Sequence, residues 1–466
     1  MAMKTINLVM FSGKDAAGNN GLWVTDGTAA GTHELTGISG AYAGGIFGGS
    51  TGFSPDLVVL NGQALFSGLD AAGNLGIWVS DGTAAGTHEL TGISGANTGG
   101  YFLGASPGFT VFNGEALFQA DTAGISGLWA TDGTAAGTHE IVGALNPSDL
   151  TVFNGQVLFA ATDAANQTGL WVTNGTAAGT HELTGISGAF TGPGGLFGGA
   201  SVVAPPDLTV FNGKVLFNGI DSAQLSGLWV TDGTAAGTHE LTGIAGAYTG
   251  GPTGAAPGGL DPRDLTVFGN EVLFNGTDAN GNTGLWVTDG TAAGTHELTG
   301  IKGAYSGGLF TGYPPDFTVY KNEVLFEGTD TNGLVGLWVT NGTVAGTHEL
   351  TGIKGTDASG AGLNPEDLTV FKNEVLFRGV DANGQISLWE TNGTAAGTHE
   401  LTGISGAYTG PGGMNAYDLT AVTFQVVQAM ASLLPMSSAL TAIPFNQTTN
   451  DLTQPSNHLA QPHWQN

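Results

Sequence analysis

The sequence predicts an all-β fold, a single eight-bladed β-propeller of four-stranded antiparallel blades, and three observations predict it. First, the stretch "GLWVTDGTAAGTHELTGI" at residues 21–38 returns with little change around Trp23, Trp78, Trp129, Trp171, Trp229, Trp286, Trp338 and Trp389. Second, these tryptophans are spaced from 42 residues (Trp129 to Trp171) to 58 (Trp171 to Trp229), at or just above the period of a propeller blade. Third, the chain begins and stops out of phase with its own repeat, as a closed ring of repeats requires.

One unit, residues 264–301, resolves into "DLTVF", "NEVLF", "GLWVT" and "THELTGI". Each segment is rich in Val, Leu, Phe, Trp and Thr, and Gly, Asn or Asp stands between them. These read as strands A to D. The A–B junctions Asn61-Gly62, Asn113-Gly114, Asn154-Gly155, Asn212-Gly213, Gly269-Asn270, Lys321-Asn322 and Lys372-Asn373 predict tight hairpins, because Asn and Gly tolerate the positive φ of a two-residue turn. The eighth hairpin is missing. The chain opens on a B-type segment, Ile6 to Phe11, and its last A-type segment, Asp418 to Phe424, has no B after it. Pairing the last A strand with the first B strand closes the ring and removes exposed sheet edges. The propeller is expected over residues 1–424. Residues 425–466 read as a non-repeat tail, with "VVQAMASLLPM" as a short helix stopped by Pro435 and an extended polar segment after it.

The eight Trp are expected to wedge the blades together, and "DGTAAG" suits the C–D turn, where Asp or Asn bonds nearby amides and Gly takes the left-handed position. Asn174, Asn341 and Asn392 occupy the same turn, so their Asn-Gly-Thr sequences read as structure before they read as glycosylation acceptors.

Composition narrows the partners. Hydrophobic residues make up 41% of the chain and Gly 82 positions, while 9 Lys and Arg against 38 Asp and Glu give a net charge of −29. Such a field repels nucleic acid and anionic lipid. There is no Cys, no run of the ~20 apolar residues that a membrane-spanning helix needs, and no visible secretory signal at the start.

The pairs beginning at His33, His88, His139, His181, His239, His296, His348 and His399 place a Glu next to each His. Neighbours in a strand face opposite sides, so neither a catalytic dyad nor a shared metal site follows; a rim position does. Asp15, Asp70, Asp121, Asp163, Asp221, Asp278, Asp330 and Asp381 lie in the B–C loops. They read as Asx-turns, with weak calcium binding as the alternative and no other cofactor expected. The D–A loops vary, are rich in Gly and carry Tyr42, Tyr101, Phe190, Tyr248, Tyr305, Tyr313 and Tyr408, together with Phe47, Phe197 and Phe310. Rings on such loops either stack on a glycan or protein partner or fold inward to seal the blade tops. Off-pattern charges are few: Arg263 beside Asp261 and Asp264, Asp357, Arg378 and scattered lysines. No nucleophile with its base and no metal-ligand spacing is legible, so no catalytic residue is assigned.

At "GLWVTDGTAAGTHEL" the chain resembles the bacterial ELWxxDGTxxGT repeat proteins over about residues 5–424, with Leu in place of the leading Glu in most units. The resemblance implies exported or surface proteins with propeller-like arrays and no assigned activity. The expectation is therefore a non-catalytic extracellular or surface protein. Its first form is a binding module using the seven loop aromatics, with carbohydrate as the favoured ligand; its second is a structural protein that assembles with copies of itself; an enzyme ranks third.

Overall fold

Each repeat becomes one four-stranded antiparallel sheet, and eight such sheets stand around an axis in the computed structural model, which describes residues 3–48, 55–96, 106–122, 124–198, 206–251, 258–311, 315–357 and 362–427. Blades are numbered here by their tryptophans, from blade 1 (Trp23) to blade 8 (Trp389). Blade 6 shows the plan: strand A is Arg263–Phe268, B Glu271–Thr277, C Thr283–Thr288 and D His296–Glu297. Side chains alternate between the two neighbouring blades, so Phe274 and Trp286 lie opposite each other on one face.

Ring closure follows the offset termini. Tyr417–Val427 supplies strand A of blade 1 and pairs with Met3–Lys14, its strand B, from Met3↔Val427 to Ser12↔Tyr417. The strand runs past Phe424, so Val426 and Val427, read from sequence as the start of a helix, are strand instead; Met3 and Lys4 offer them ladder partners. Residues 428–466 of the expected tail lie outside the described residues. Strand D is also shorter than its pattern, two residues in most blades, because after the Leu35 amide bonds the Leu22 carbonyl at 2.8 Å the chain turns at Gly37, with φ +76°.

Tryptophan joins neighbouring blades. Trp78 packs with Met10, Leu22 and Val24 of blade 1, and Trp23 with Leu376 and Leu388 of blade 8. The Trp286 indole donates from Nε1 to the Gly276 carbonyl at 3.0 Å, and a Cβ at Gly276 would come within 2.8 Å of the same ring. That strand-B glycine is therefore set by indole packing. In the C–D turn Asp26 Oδ1 accepts from the Thr28 amide and hydroxyl, and Asn174, Asn341 and Asn392 use Oδ1 in the same way. Among the described residues no helix is long and apolar enough to cross a membrane.

Candidate functional site

The wall of the axis is built from the eight A strands, which touch one another in a closed circle. Each is entered through a residue in the left-handed region: Asp56, Gly108, Asp149, Asp207, Asp264, Asp316, Asp367 and Asp418, all with φ between 49° and 61°. That backbone turns the carboxylate toward the next blade. Asp418 Oδ2 accepts from the Asp56 amide at 2.6 Å, Asp149 Oδ2 from Leu208 at 2.9 Å, and Asp207 Oδ2 from Leu265 at 2.7 Å. Asp316 Oδ2 accepts from Leu368 at 2.9 Å, Asp367 Oδ2 from Asp418 at 3.0 Å, and Asp56 Oδ2 from Gly108 and Phe109. Gly108 has no carboxylate to pass on. There Thr110 carries the link, its hydroxyl donating to the Leu150 carbonyl at 2.9 Å, as Thr151, Thr209, Thr318 and Thr369 do for their own neighbours.

Burial pushes four of the ring's carboxyls up. Asp149 and Asp367 rise from 3.8 to about 6, and Asp207 and Asp56 move the same way although backbone amides oppose the shift. On strand D, burial and then the Asp221 carboxylate raise Glu240 to about 7. A raised carboxyl binds its proton more tightly folded than unfolded, so its contribution is complete below the unfolded value and is lost as pH rises through the folded one. Asp15, Asp70, Asp278 and Asp330 act oppositely. Burial works to raise them, but turn amides and Asn side chains hold them below 3.8, and their contribution is lost only as pH falls through that range. The melting temperature is therefore expected to rise by a few degrees from pH 8 to pH 5, and Asp149→Asn to shrink that rise. A melting temperature that falls over this interval would contradict the assignment.

The repeat breaks its own pattern beside this ring. The strand-B residue that follows the blade's Phe is Ser12, Ser67, Gln119, Ala160, Asn218, Asn275, Glu327 and Arg378 in turn, while its flanks barely change. Its side chain reaches the entry of an A strand, the next blade's for Gln119 and Asn218 and its own blade's for Ser67 and Arg378. Between blades 7 and 8 the result is a charged cluster. Glu327 is only 6% exposed, and burial, then the Glu366 and Asp316 carboxylates, hold its proton well above the usual carboxylate range against the opposing Arg378. Among the described residues its carboxyl has no hydrogen-bond partner. Arg378 pairs through Nη1 with Glu366 Oε2, whose other oxygen accepts from Asn364 Nδ2 at 2.7 Å. Burial and the neighbouring Asp367 and Asp418 raise the Tyr417 phenol, so it stays protonated. The site thus combines a buried acid of raised proton affinity, a matched guanidinium and further carboxyls.

The loop aromatics are placed differently. Tyr42, Phe190, Tyr248, Tyr305 and Tyr408 each lie over the glycine two residues on, at Gly44, Gly192, Gly250, Gly307 and Gly410, where a Cβ would clash with the ring. They stand one to a loop, and Tyr42 and Tyr305 remain exposed; Tyr101 and Tyr313 lie outside the described residues. Phe47, Phe197 and Phe310 are buried between blades, each against its neighbour's Phe. Seven of the repeat tryptophans are at most 1% exposed and serve the core; Trp171 is partly buried.

The His side chains stand exposed on the outermost strands, as the rim reading expects. In blades 1 to 7 the Glu beside each His folds over a strand-C glycine such as Gly21 or Gly284, a position that Ser387 takes in blade 8. In blade 1 Glu34 meets Asp15 in a cleft of about 290 Å³ that Tyr42 also lines. Burial, then the Asp15 carboxylate, raises Glu34, and Glu89 is raised likewise beside Asp70. This chemistry repeats with the blade, whereas the cluster at Glu327 occurs where the repeat departs from itself. The B–C Asp oxygens are engaged by backbone: Asp15 Oδ1 accepts from the Ala17 and Asn19 amides at 2.9 and 2.8 Å. Among the described residues no three or more His, Asp or Glu are grouped to hold a metal ion.

No family model and no curated protein sequence matches the chain. Solved structures with a similar fold include a puromycin hydrolase at 13% identity, covering 75% of this chain and 53% of the other with a TM-score of 0.46. A puromycin-hydrolyzing peptidase of Mycobacterium tuberculosis is 11% identical over 75% of this chain and 52% of its own, with a TM-score of 0.45. The β-propeller domain of the Trilobed protease of Pyrococcus furiosus is 12% identical, over 76% of this chain and 99% of its own, at 0.41. The chain spans about half the length of the first two. The expectation of a non-catalytic glycan-binding module finds no counterpart among these structures, which are peptidases or the propeller domain of one. At such identities the likeness describes the fold alone.

Proposed function

We propose that the chain is a propeller enzyme that works by proton transfer at the axial mouth between blades 7, 8 and 1. The observation that carries this reading is Glu327, a buried carboxyl whose proton affinity is raised by burial and by Glu366 and Asp316, at the position where eight near-identical blades stop being identical. One substrate needs unlike groups around it, so a reaction centre on a repeated scaffold lies where the symmetry breaks. A buried neutral carboxyl is a proton donor. In hydrolysis Glu327 gives its proton to the leaving nitrogen or oxygen as the bond to carbon breaks; water supplies the hydroxyl to that carbon, and its remaining proton restores the carboxyl. Arg378, oriented by Glu366, supplies positive charge for the oxygen on which negative charge develops. The test is a panel of p-nitrophenyl esters, p-nitrophenyl glycosides and aminoacyl p-nitroanilides. Turnover of one class, reduced 10²-fold or more by Glu327→Gln with circular dichroism unchanged, is the expected result. Turnover that Glu327→Gln and Arg378→Met leave intact would place the reaction elsewhere.

A further inference from the structure

Below the acidic mouth the axial channel changes character. The fourth residue of strand A, three on from the ring position, is Val111, Val152, Val210, Val267, Val319 and Val370 in blades 3 to 8, and each of these side chains is 38–42% exposed. The A strands form the wall of the axis, so the open space beside these valines is the channel. Three residues at ~3.3 Å each put this apolar collar about 10 Å below the carboxylate ring. At the mouth, the buried Asn275 Oδ1 of blade 6 lacks a hydrogen-bond donor among the described residues, and the Glu327 carboxyl lies at the same place one blade on. Both axial guanidiniums are already matched, Arg263 by Asp261 at 3.0 Å and Arg378 by Glu366. Among the described residues the mouth thus has no unmatched guanidinium, and it opens onto an apolar collar.

We infer that the substrate is an amide of a long-chain alkyl amine, with the leaving nitrogen at Glu327 and its hydrocarbon against the valine collar. This rests on the acid–base reading above and names the leaving group it would serve. The amide is neutral, as suits a protonated Glu327. On cleavage the amine takes a proton, and the product alkylammonium faces the resulting carboxylate with Asp316 and Glu366 beside it. Free alkylammonium entering the resting site reaches the same state by expelling the Glu327 proton to solvent.

The experiment is calorimetric titration of the full chain with n-octylammonium and with propylammonium at pH 6.5, in two buffers of different ionisation heat. Octylammonium is expected to bind at one site per chain, at least tenfold more tightly than propylammonium, with release of close to one proton. Glu327→Gln should abolish that release and weaken both amines, whereas Val319→Ser combined with Val370→Ser should weaken octylammonium alone. Equal affinity for the two amines, or unchanged proton release in Glu327→Gln, would overturn the inference. Turnover plays no part in this readout. Tight octylammonium binding without turnover of any panel substrate or of an N-octyl amide sinks the enzyme reading and leaves the ligand class standing; turnover without amine binding does the reverse.

Discussion

Trp286→Ala is expected to cost about 3–5 kcal/mol of stability, the range for emptying a fully buried aromatic site. The indole is completely buried against Phe211, Leu216, Leu228 and Val230 of blade 5 and stacks on its own Phe274, with ring centroids 6.1 Å apart. Truncation leaves a cavity at the seam between two sheets, where neither can move in without disturbing its other neighbour. It also strips the Gly276 carbonyl of its donor. Trp171 provides the internal comparison. It is only partly exposed to the same packing, and its Nε1 has no hydrogen-bond partner, so Trp171→Ala is expected to cost less, about 2 kcal/mol. Urea denaturation of the two variants beside the parent chain measures both. Equal losses would mean that burial at the blade seam does not control the contribution of the repeated tryptophan.

The difference between these two tryptophans also marks where sequence reading stops. Periodicity around Trp, the Asn-Gly hairpins and the offset termini were enough to specify blades, strand order and closure, because each is a local pattern with one compact solution. The axial ring was not legible in the same way. Its Asp is written before every A strand except at Gly108, but it looks like an ordinary loop residue until a φ near +50° aims it at the following blade. The B–C Asp of the TDANGN type, which resembled a ligand loop, turned out to bond its own turn. Arg378, Arg263 and Asp261 were visible as departures from the repeat, yet the sequence could not show that Arg378, 51 positions after Glu327 (378 − 327), would come close enough to oppose the rise in its proton affinity. Alternation tells which face a residue takes; only the assembled ring tells what waits there. The loop aromatics were legible as loop residues, but the sequence could not show that an adjoining glycine lets each described ring lie over it.

Closure offers the largest stabilisation available to a single designed change. Asn7 and Thr423 are register partners in the pairing that joins the ends of the ring, their side chains meet at 3.0 Å, and both are exposed. The chain has no cysteine, so Asn7→Cys with Thr423→Cys introduces one unambiguous pair. The bond would close a loop of 416 residues' separation. Loop-closure entropy grows only with the logarithm of length, and cross-links of this kind reach up to about 5 kcal/mol when native geometry is undisturbed. The expected result is a melting temperature several degrees higher under oxidising conditions, returned to the parent value by dithiothreitol. A chain ending at Ala416 should behave in the opposite sense. It loses Leu419, Val422 and Phe424 from two blade seams together with the Asp418 link, and it bares the first strand as a sheet edge, so it is expected to aggregate or to associate through that edge. If the paired cysteines instead remain reduced, or form only bonds between molecules, the ends do not meet in solution. The axial mouth would then lack Tyr417 and Asp418, and the proposed site with it.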